Sequence, residues 1–334
     1  MTSLTSLGMP AMPPPTSDPA WKNAWDAALY GPAGFFRRES PSAHFRTSVH
    51  ASPLFAASLV ELVRRAGLDT VVDVGAGRGE LLAEMHRIDP SLTLLGVEVA
   101  RRPEELPAAV DWTPALPESV DGLMVANEWL DNIPCHVVEV DPRGVPRVVH
   151  VDPATGAESL GASLADRSVP ASLAAWCEQW WPLGSREPGA RAEVGTTRDA
   201  AWADVVRRVR HGLAVAVDYG HTAPDRPPYG SLRSYLRGTE VDVLPDGSRD
   251  VTAHVAVDSV AGRTDARLLR QADALRALGV SGRRPDLALA GTDPAGYVAS
   301  LSRAGEAAEL TEETGLGGFW WMVSAAGVPQ PFDA

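Results

Sequence analysis

Apolar residues recur along this chain with two periods. Leu54, Phe55, Leu59, Leu62 and Val63 mark one face of a helix, which Ser52 can cap, Pro53 can open and Gly67 ends. From Thr70 to Val74 the pattern becomes a short continuous apolar run, the sign of a buried strand. A glycine-rich turn and a helix over 79–88 follow, stopped near Pro90, and then a second apolar run over 92–97. Strand–helix–strand in ~30 residues is a βαβ unit, whose crossover is almost always right-handed. Further strands are predicted at Val110–Thr113 and 122–126, and a hairpin at His136–Val140 and 147–151 around Asp141-Pro142-Arg143-Gly144. Later strands are predicted at 213–217 and 319–324, with helices at Trp21–Tyr30, 170–181, 197–210, 266–278 and 293–304. Residues 153–170, rich in Ala, Gly, Ser and Asp, read as a surface loop, and 221–250 as a long loop region and candidate lid. The sum is an α/β doubly wound sheet with insertions between its fourth and fifth strands.

Composition narrows the classes. At 334 residues with 45% hydrophobic and 22% charged content, the chain can bury a sizeable core as a soluble protein. A net charge of −13 argues against a broad nucleic-acid-binding face and favours basic partners. Cys135 and Cys177 make neither a Cys-x-x-Cys pair nor a disulfide framework, so both are expected as reduced thiols in the cytoplasm. The eight histidines are scattered, and no metal site is expected. No apolar run of ~18 residues is present to enter a membrane, and the first residues lack the pattern of a signal peptide. Residues 1–19, with Pro10, Pro13, Pro14 and Pro15, read as a disordered leader.

The chemistry starts at Asp73-Val74-Gly75-Ala76-Gly77-Arg78-Gly79. A glycine turn between strand and helix lets backbone approach a nucleotide-like ligand. Asp73 decides the kind, because a carboxylate there repels a pyrophosphate and attracts an ammonium. The spacing also lacks the third glycine of the dinucleotide fingerprint, which disfavours NAD. S-adenosylmethionine, with an α-ammonium, a sulfonium and no phosphate, suits Asp73, Gly75, Ala76, Gly77 and Gly79 better. Glu98 ends the second strand about 20 residues on, where an acid accepts hydrogen bonds from ribose hydroxyls. At the end of the next buried strand stand Asn127 and Glu128, with Asp131 three residues further. One helical turn would bring both carboxylates to the same side, a pairing that suits a guanidinium.

The Asp73–Gly79 segment, Asn127-Glu128-Trp129-Leu130-Asp131-Asn132-Ile133-Pro134, Val217-Asp218-Tyr219-Gly220-His221 and Asp250-Val251-Thr252-Ala253-His254-Val255 stand in an order that resembles the MidA (DUF185) methyltransferases. The opening Leu29-Tyr30-Gly31-Pro32-Ala33-Gly34-Phe35-Phe36 and Ser52-Pro53-Leu54-Phe55 is similar to theirs as well. The resemblance spans roughly residues 25–325 and implies a Rossmann-like class I S-adenosylmethionine-dependent methyltransferase. An N-terminal helical segment (20–68) would pack on a methyltransferase domain (69–330) that carries inserted regions at 135–211 and 221–250. The mitochondrial member of that family acts on an arginine of a respiratory complex I subunit. Carried over, Asp73, Gly75, Gly77 and Glu98 would hold the donor, with Asn127, Glu128 and Asp131 facing the acceptor. Asp218 and Tyr219 would meet the same pocket.

Three acids of the family pattern are replaced, in Ala43-His44-Phe45, in Thr47-Ser48-Val49-His50 and at Ala256. These changes lie on the acceptor side and bear on substrate class. Three readings therefore stand: methylation of an arginine in a protein, methylation of a small metabolite with His44 and His50 as base or pocket lining, and a donor-binding assembly factor without turnover.

Overall fold

The computed structural model describes residues 18–38 and 48–333. Residues 1–17 of the expected leader and His44 lie outside the described residues, as does the side chain of His50, whereas Asp18 and Pro19 are tied through their carbonyls to His150 and Val151. The chain opens with the helices Trp21–Tyr30, Phe35–Arg38 and Ser48–Ala51. Helix Pro53–Arg65 begins as its residues dictate: Ser52 is extended, and its hydroxyl accepts from the Leu54 amide at 3.0 Å.

Strand β1 (Thr70–Val74) leads through the glycine turn into helix Glu80–Ile88 and on to β2 (Thr93–Val97), β3 (Val110–Thr113) and β4 (Val120–Asn127). The chain then leaves the sheet to build β5 (His136–Val140), β6 (Pro146–Val151), β7 (Glu158–Ser163), helix Ala171–Trp180 and β8 (Arg191–Val194). These four strands form a separate antiparallel sheet in the order β7-β6-β5-β8. Helix Thr196–Arg208 returns the chain to β9 (Val209–Asp218). Short strands β10 (Gly220–His221), β11 (Arg233–Leu236), β12 (Thr239–Val241), β13 (Asp250–Thr252) and β14 (Val255–Ala256) follow. After helix Val257–Thr264 come β15 (Arg267–Arg270), helices Gln271–Ala277 and Pro294–Thr311, and β16 (Trp320–Ala326).

The main sheet has seven strands in the order β15-β16-β9-β4-β1-β2-β3. Strands β3, β2, β1, β4 and β9 are parallel, and β16 runs antiparallel to both β9 and β15. Alternate side chains feed two cores. Val71, Leu123, Val125, Val215 and Trp321 pack under helices Pro53–Arg65 and Glu80–Ile88. Val72, Met124, Ala126, Ala216 and Met322 pack against Trp202, Val205 and Val260 on the other face. All five parallel strands end at one edge, where open α/β sheets bind ligands.

Three expectations need correction. The 153–170 loop contains β7, an edge strand of partly exposed residues whose pairing to β6 is backbone work, so it left no alternating pattern. The 221–250 loop contains the β11–β12 hairpin, turned at Arg237 and Gly238, both with positive φ, and paired to β13. The 266–278 helix begins as a strand. In β15 the adjacent Leu268 and Leu269 serve opposite cores, which a helix could not arrange.

Candidate active site

The glycine turn fixes the floor of the site. Gly75 has φ +75°, and a Cβ on it would fall 2.5 Å from Trp129 Cδ1. Gly77 has φ +57°, but a Cβ there would meet only the Glu80 carboxylate, at 3.9 Å. Gly75 is thus required by packing and by backbone, whereas Gly77 leaves open space above the turn.

Asp73, in β1 opposite Gly96 of β2, is 4% exposed. Burial, then the nearby Glu98 and Glu80, pushes its carboxyl up to about 8. Without a cationic partner its protonated form is favoured at neutral pH. Glu98 follows β2; its carboxylate accepts from the Gly77 amide at 3.2 Å and the Ala100 amide at 3.0 Å. Burial raises its pKa in spite of those donors.

The end of β4 supplies the opposite wall. Glu128 sits at φ +51°, an uncommon conformation for a side-chain-bearing residue, and its amide donates to Val217 O at 2.8 Å. Its Oε1 accepts from Asn127 Nδ2 at 3.1 Å and from the Ser48 amide at 3.2 Å. Beyond it the chain forms the 3-10 turn Leu130–Asn132.

Asp131 is 4% exposed and turned away from Glu128's cavity. It accepts from the Tyr219 hydroxyl, from Thr252 Oγ1 at 2.7 Å and from Asn132 Nδ2 at 3.1 Å. Asp218 accepts from the amides of Leu130, Asp131 and Tyr219 at 2.9, 3.2 and 2.9 Å. Burial raises the pKa of both acids. The expected side-by-side pair of Glu128 and Asp131 is therefore absent: the left-handed residue and the tight turn break helical phasing between them. Asp131, Asp218 and Tyr219 brace the wall from behind.

A cavity of about 280 Å³ joins Asp73, Gly75, Ala76, Gly77, Glu98, Asn127 and Glu128, whereas Gly79 starts the helix beneath it. Sequence reasoning gave no role to four further lining residues: Tyr30, Phe36, Trp129 and Asn132. Tyr30 and Phe36 arrive from the N-terminal helices, and the Tyr30 hydroxyl donates to Asn132 O at 3.2 Å. Arg198, 1% exposed, was missed too; it donates to the carbonyls of Asp131, Ile133 and His254 at 2.6, 3.2 and 2.8 Å. Its signal was an arginine on the apolar stripe with Trp202 and Val205. Ala256, where the resembled family has an acid, packs in an apolar cluster with Trp176 and Trp181.

The walls are rich in acceptors. Besides two acids with raised pKa, Asn127 Oδ1 and Asn132 Oδ1 are buried with no donor among the described residues. Such a lining fits a ligand carrying an ammonium and ribose hydroxyls and disfavours a phosphate.

The sheet order, the reversed last strand and this glycine turn at the carboxyl edge define a class I S-adenosylmethionine-dependent methyltransferase. The chain belongs to the family described as "Putative S-adenosyl-L-methionine-dependent methyltransferase", whose model matches residues 93–275, more than half of it. Its structure is similar to that of a COG1565 superfamily member from Burkholderia thailandensis bound to S-adenosyl-homocysteine. The two are 25% identical with a TM-score of 0.74, over 94% of this chain and 89% of that one. A native structure of a COG1565 superfamily protein from the same organism matches with 24% identity and a TM-score of 0.74, over 94% and 88%, and shows the shared fold. No curated protein matches the chain. Among the described residues no helix is long and apolar enough to cross a membrane.

Proposed function

We propose that this methyltransferase is of MidA type and N-methylates an arginine side chain of a protein acceptor. One observation carries the reading: Glu128 lines the cavity at the end of β4 beside Asn127 and Asn132, whose buried Oδ1 atoms meet no hydrogen-bond donor among the described residues. A guanidinium has five N–H donors and no acceptor, so it complements an acceptor-only wall. Both amides are already oriented, because each gives its NH2 to a neighbouring carboxylate. The net charge of −13 adds attraction for a basic segment.

S-adenosylmethionine, when bound, supplies an electrophilic sulfonium methyl group. Asp73 would hold the donor's ammonium and Glu98 its ribose. Glu128 would pair with the guanidinium, orient the nitrogen that is methylated and receive the proton that nitrogen must lose. At an effective dielectric near 20, a carboxylate ~4 Å from a cation contributes about 4 kcal/mol of gross attraction before desolvation. Placing the nucleophile in line is the larger task. The respiratory-complex acceptor implied by the resemblance is the first protein class to try.

The test is incubation of the enzyme and isotopically labelled donor with a native lysate lacking this protein, followed by mass spectrometry. Label on an arginine of a peptide supports the reading. Label confined to small metabolites, or none at all, rejects it.

A further inference from the structure

Beside the donor cavity lies a second hollow of about 300 Å³, which shares Phe36, Gly77, Arg78 and Glu98 with it. Four arginines gather there from three separate segments. Arg37 and Arg38 come from helix Phe35–Arg38, Arg78 from the glycine turn and Arg101 from the chain after β2. In a protein of net charge −13, this local surplus of cations runs against the background.

Their donors are barely used within the protein. Arg37 gives one N–H to Tyr30 O at 3.1 Å, and Arg38 gives one to Gly247 O at 2.5 Å. Arg78 reaches Glu105 only at 3.9 Å, with both side chains more than half exposed. Arg101 has no ion-pair or hydrogen-bond partner among the described residues. Glu98, the second acid of the hollow, already accepts from the Gly77 and Ala100 amides. Each guanidinium can pair bidentately with a carboxylate. Of the four, only Arg78 also lines the donor cavity, so the other three are not accounted for by the donor.

We propose that this hollow binds an acidic stretch of the acceptor polypeptide, flanking the side chain that is methylated. The inference rests on the protein-acceptor reading above. Because hollow and cavity adjoin, a polypeptide whose side chain reaches the cavity can lay its flanking residues in the hollow. Contacts between exposed charges contribute little each and act mainly on encounter rate and selectivity, so salt sensitivity is the expected signature.

Fluorescein-labelled hexaglutamate and hexaglutamine peptides, titrated into protein saturated with adenosylhomocysteine, provide the test by fluorescence anisotropy. Hexaglutamate should bind about tenfold tighter at low ionic strength and lose that preference near 0.5 M salt. Arg101→Glu and Arg37→Glu should each weaken it by about threefold to tenfold. Calorimetry should find adenosylhomocysteine affinity changed by less than about twofold in both variants. Equal binding of the two peptides, or undiminished binding by Arg101→Glu, overturns the proposal. A variant that loses adenosylhomocysteine together with the peptide overturns it as well, because the hollow is then part of the donor site. No methyl transfer is needed for the readout, so failure here and failure of arginine methylation are separate results.

Discussion

The two walls of the cavity, proposed above to hold the donor and the acceptor, are built on opposite electrostatic plans. At the tip of β1, Asp73 has no hydrogen-bond donor among the described residues, and burial beside other acids leaves it protonated at neutral pH. Behind the end of β4, Asp131 and Asp218 are also buried, yet each accepts three hydrogen bonds from its own protein. A buried acid without internal donors is a place for a ligand's cation; one fully supplied with donors is framework. Glu128 stands between the two cases, held by Asn127 and Ser48 but still on the cavity.

The strongest way to break this division is to remove the cation that serves the framework. Arg198→Met would leave three buried carbonyls without their donor and should cost about 3–5 kcal/mol of stability, read by chemical denaturation. A cost below about 1 kcal/mol would show that the bracing is dispensable. Next in size is Glu128→Gln, which keeps the shape and removes the charge. We expect kcat to fall by about 10²–10³ while donor affinity stays within about threefold. Unchanged turnover would move the acceptor's partner elsewhere on the wall.

Asp73→Asn tests the donor side and should weaken donor binding by about tenfold to hundredfold at pH 8. The wild-type carboxyl, up to about 8 when empty, must lose its proton to pair with an ammonium. Donor affinity should therefore rise with pH up to about 8 and then level, and this dependence should vanish in the variant. Stability has the opposite sign. Between about 4, the unfolded value, and about 8, the native protein holds a proton that the unfolded chain has released, so stability falls as pH rises through that window. Asp250, also raised to about 8 by burial and by Asp131, adds a slope of the same sign. The variant should thus lessen the fall, not abolish it, in denaturation series from pH 5 to pH 8.

The same division explains what the sequence could reveal. The donor wall is contiguous: Asp73 to Gly79 is one turn, and Glu98 follows one helix and one strand later, so local spacing carried the chemistry. The doubly wound sheet was legible for a similar reason, because its buried strands are uninterrupted apolar runs. The wall proposed for the acceptor is assembled from Ser48, Glu128, Asp131, Arg198, Tyr219 and Thr252, brought together by the N-terminal helices and two excursions from the sheet. No local period reports such a meeting. Spacing alone set Glu128 and Asp131 side by side on one helical turn, and the positive φ at Glu128 together with the 3-10 turn after it undoes that. Edge strands β7 and β15 stayed hidden because their pairing is carried by backbone and by single apolar residues.

The smallest effect separates framework from chemistry most finely. The Tyr219 and Thr252 hydroxyls both donate to Asp131, so the carboxylate keeps two of its three donors when the Tyr219 hydroxyl is lost. Tyr219→Phe should then cost about 1 kcal/mol of stability. As a brace, Tyr219 acts through the position of the turn that follows Glu128, so kcat should fall by no more than about fivefold, with an unshifted pH profile. If the hydroxyl instead carries the proton released from the acceptor, its loss should lower kcat by about 10² or more and move a pKa in the kcat profile. That result would place Tyr219 and Asp131 in the chemistry and return the acceptor wall to the two-carboxylate arrangement that the spacing suggested.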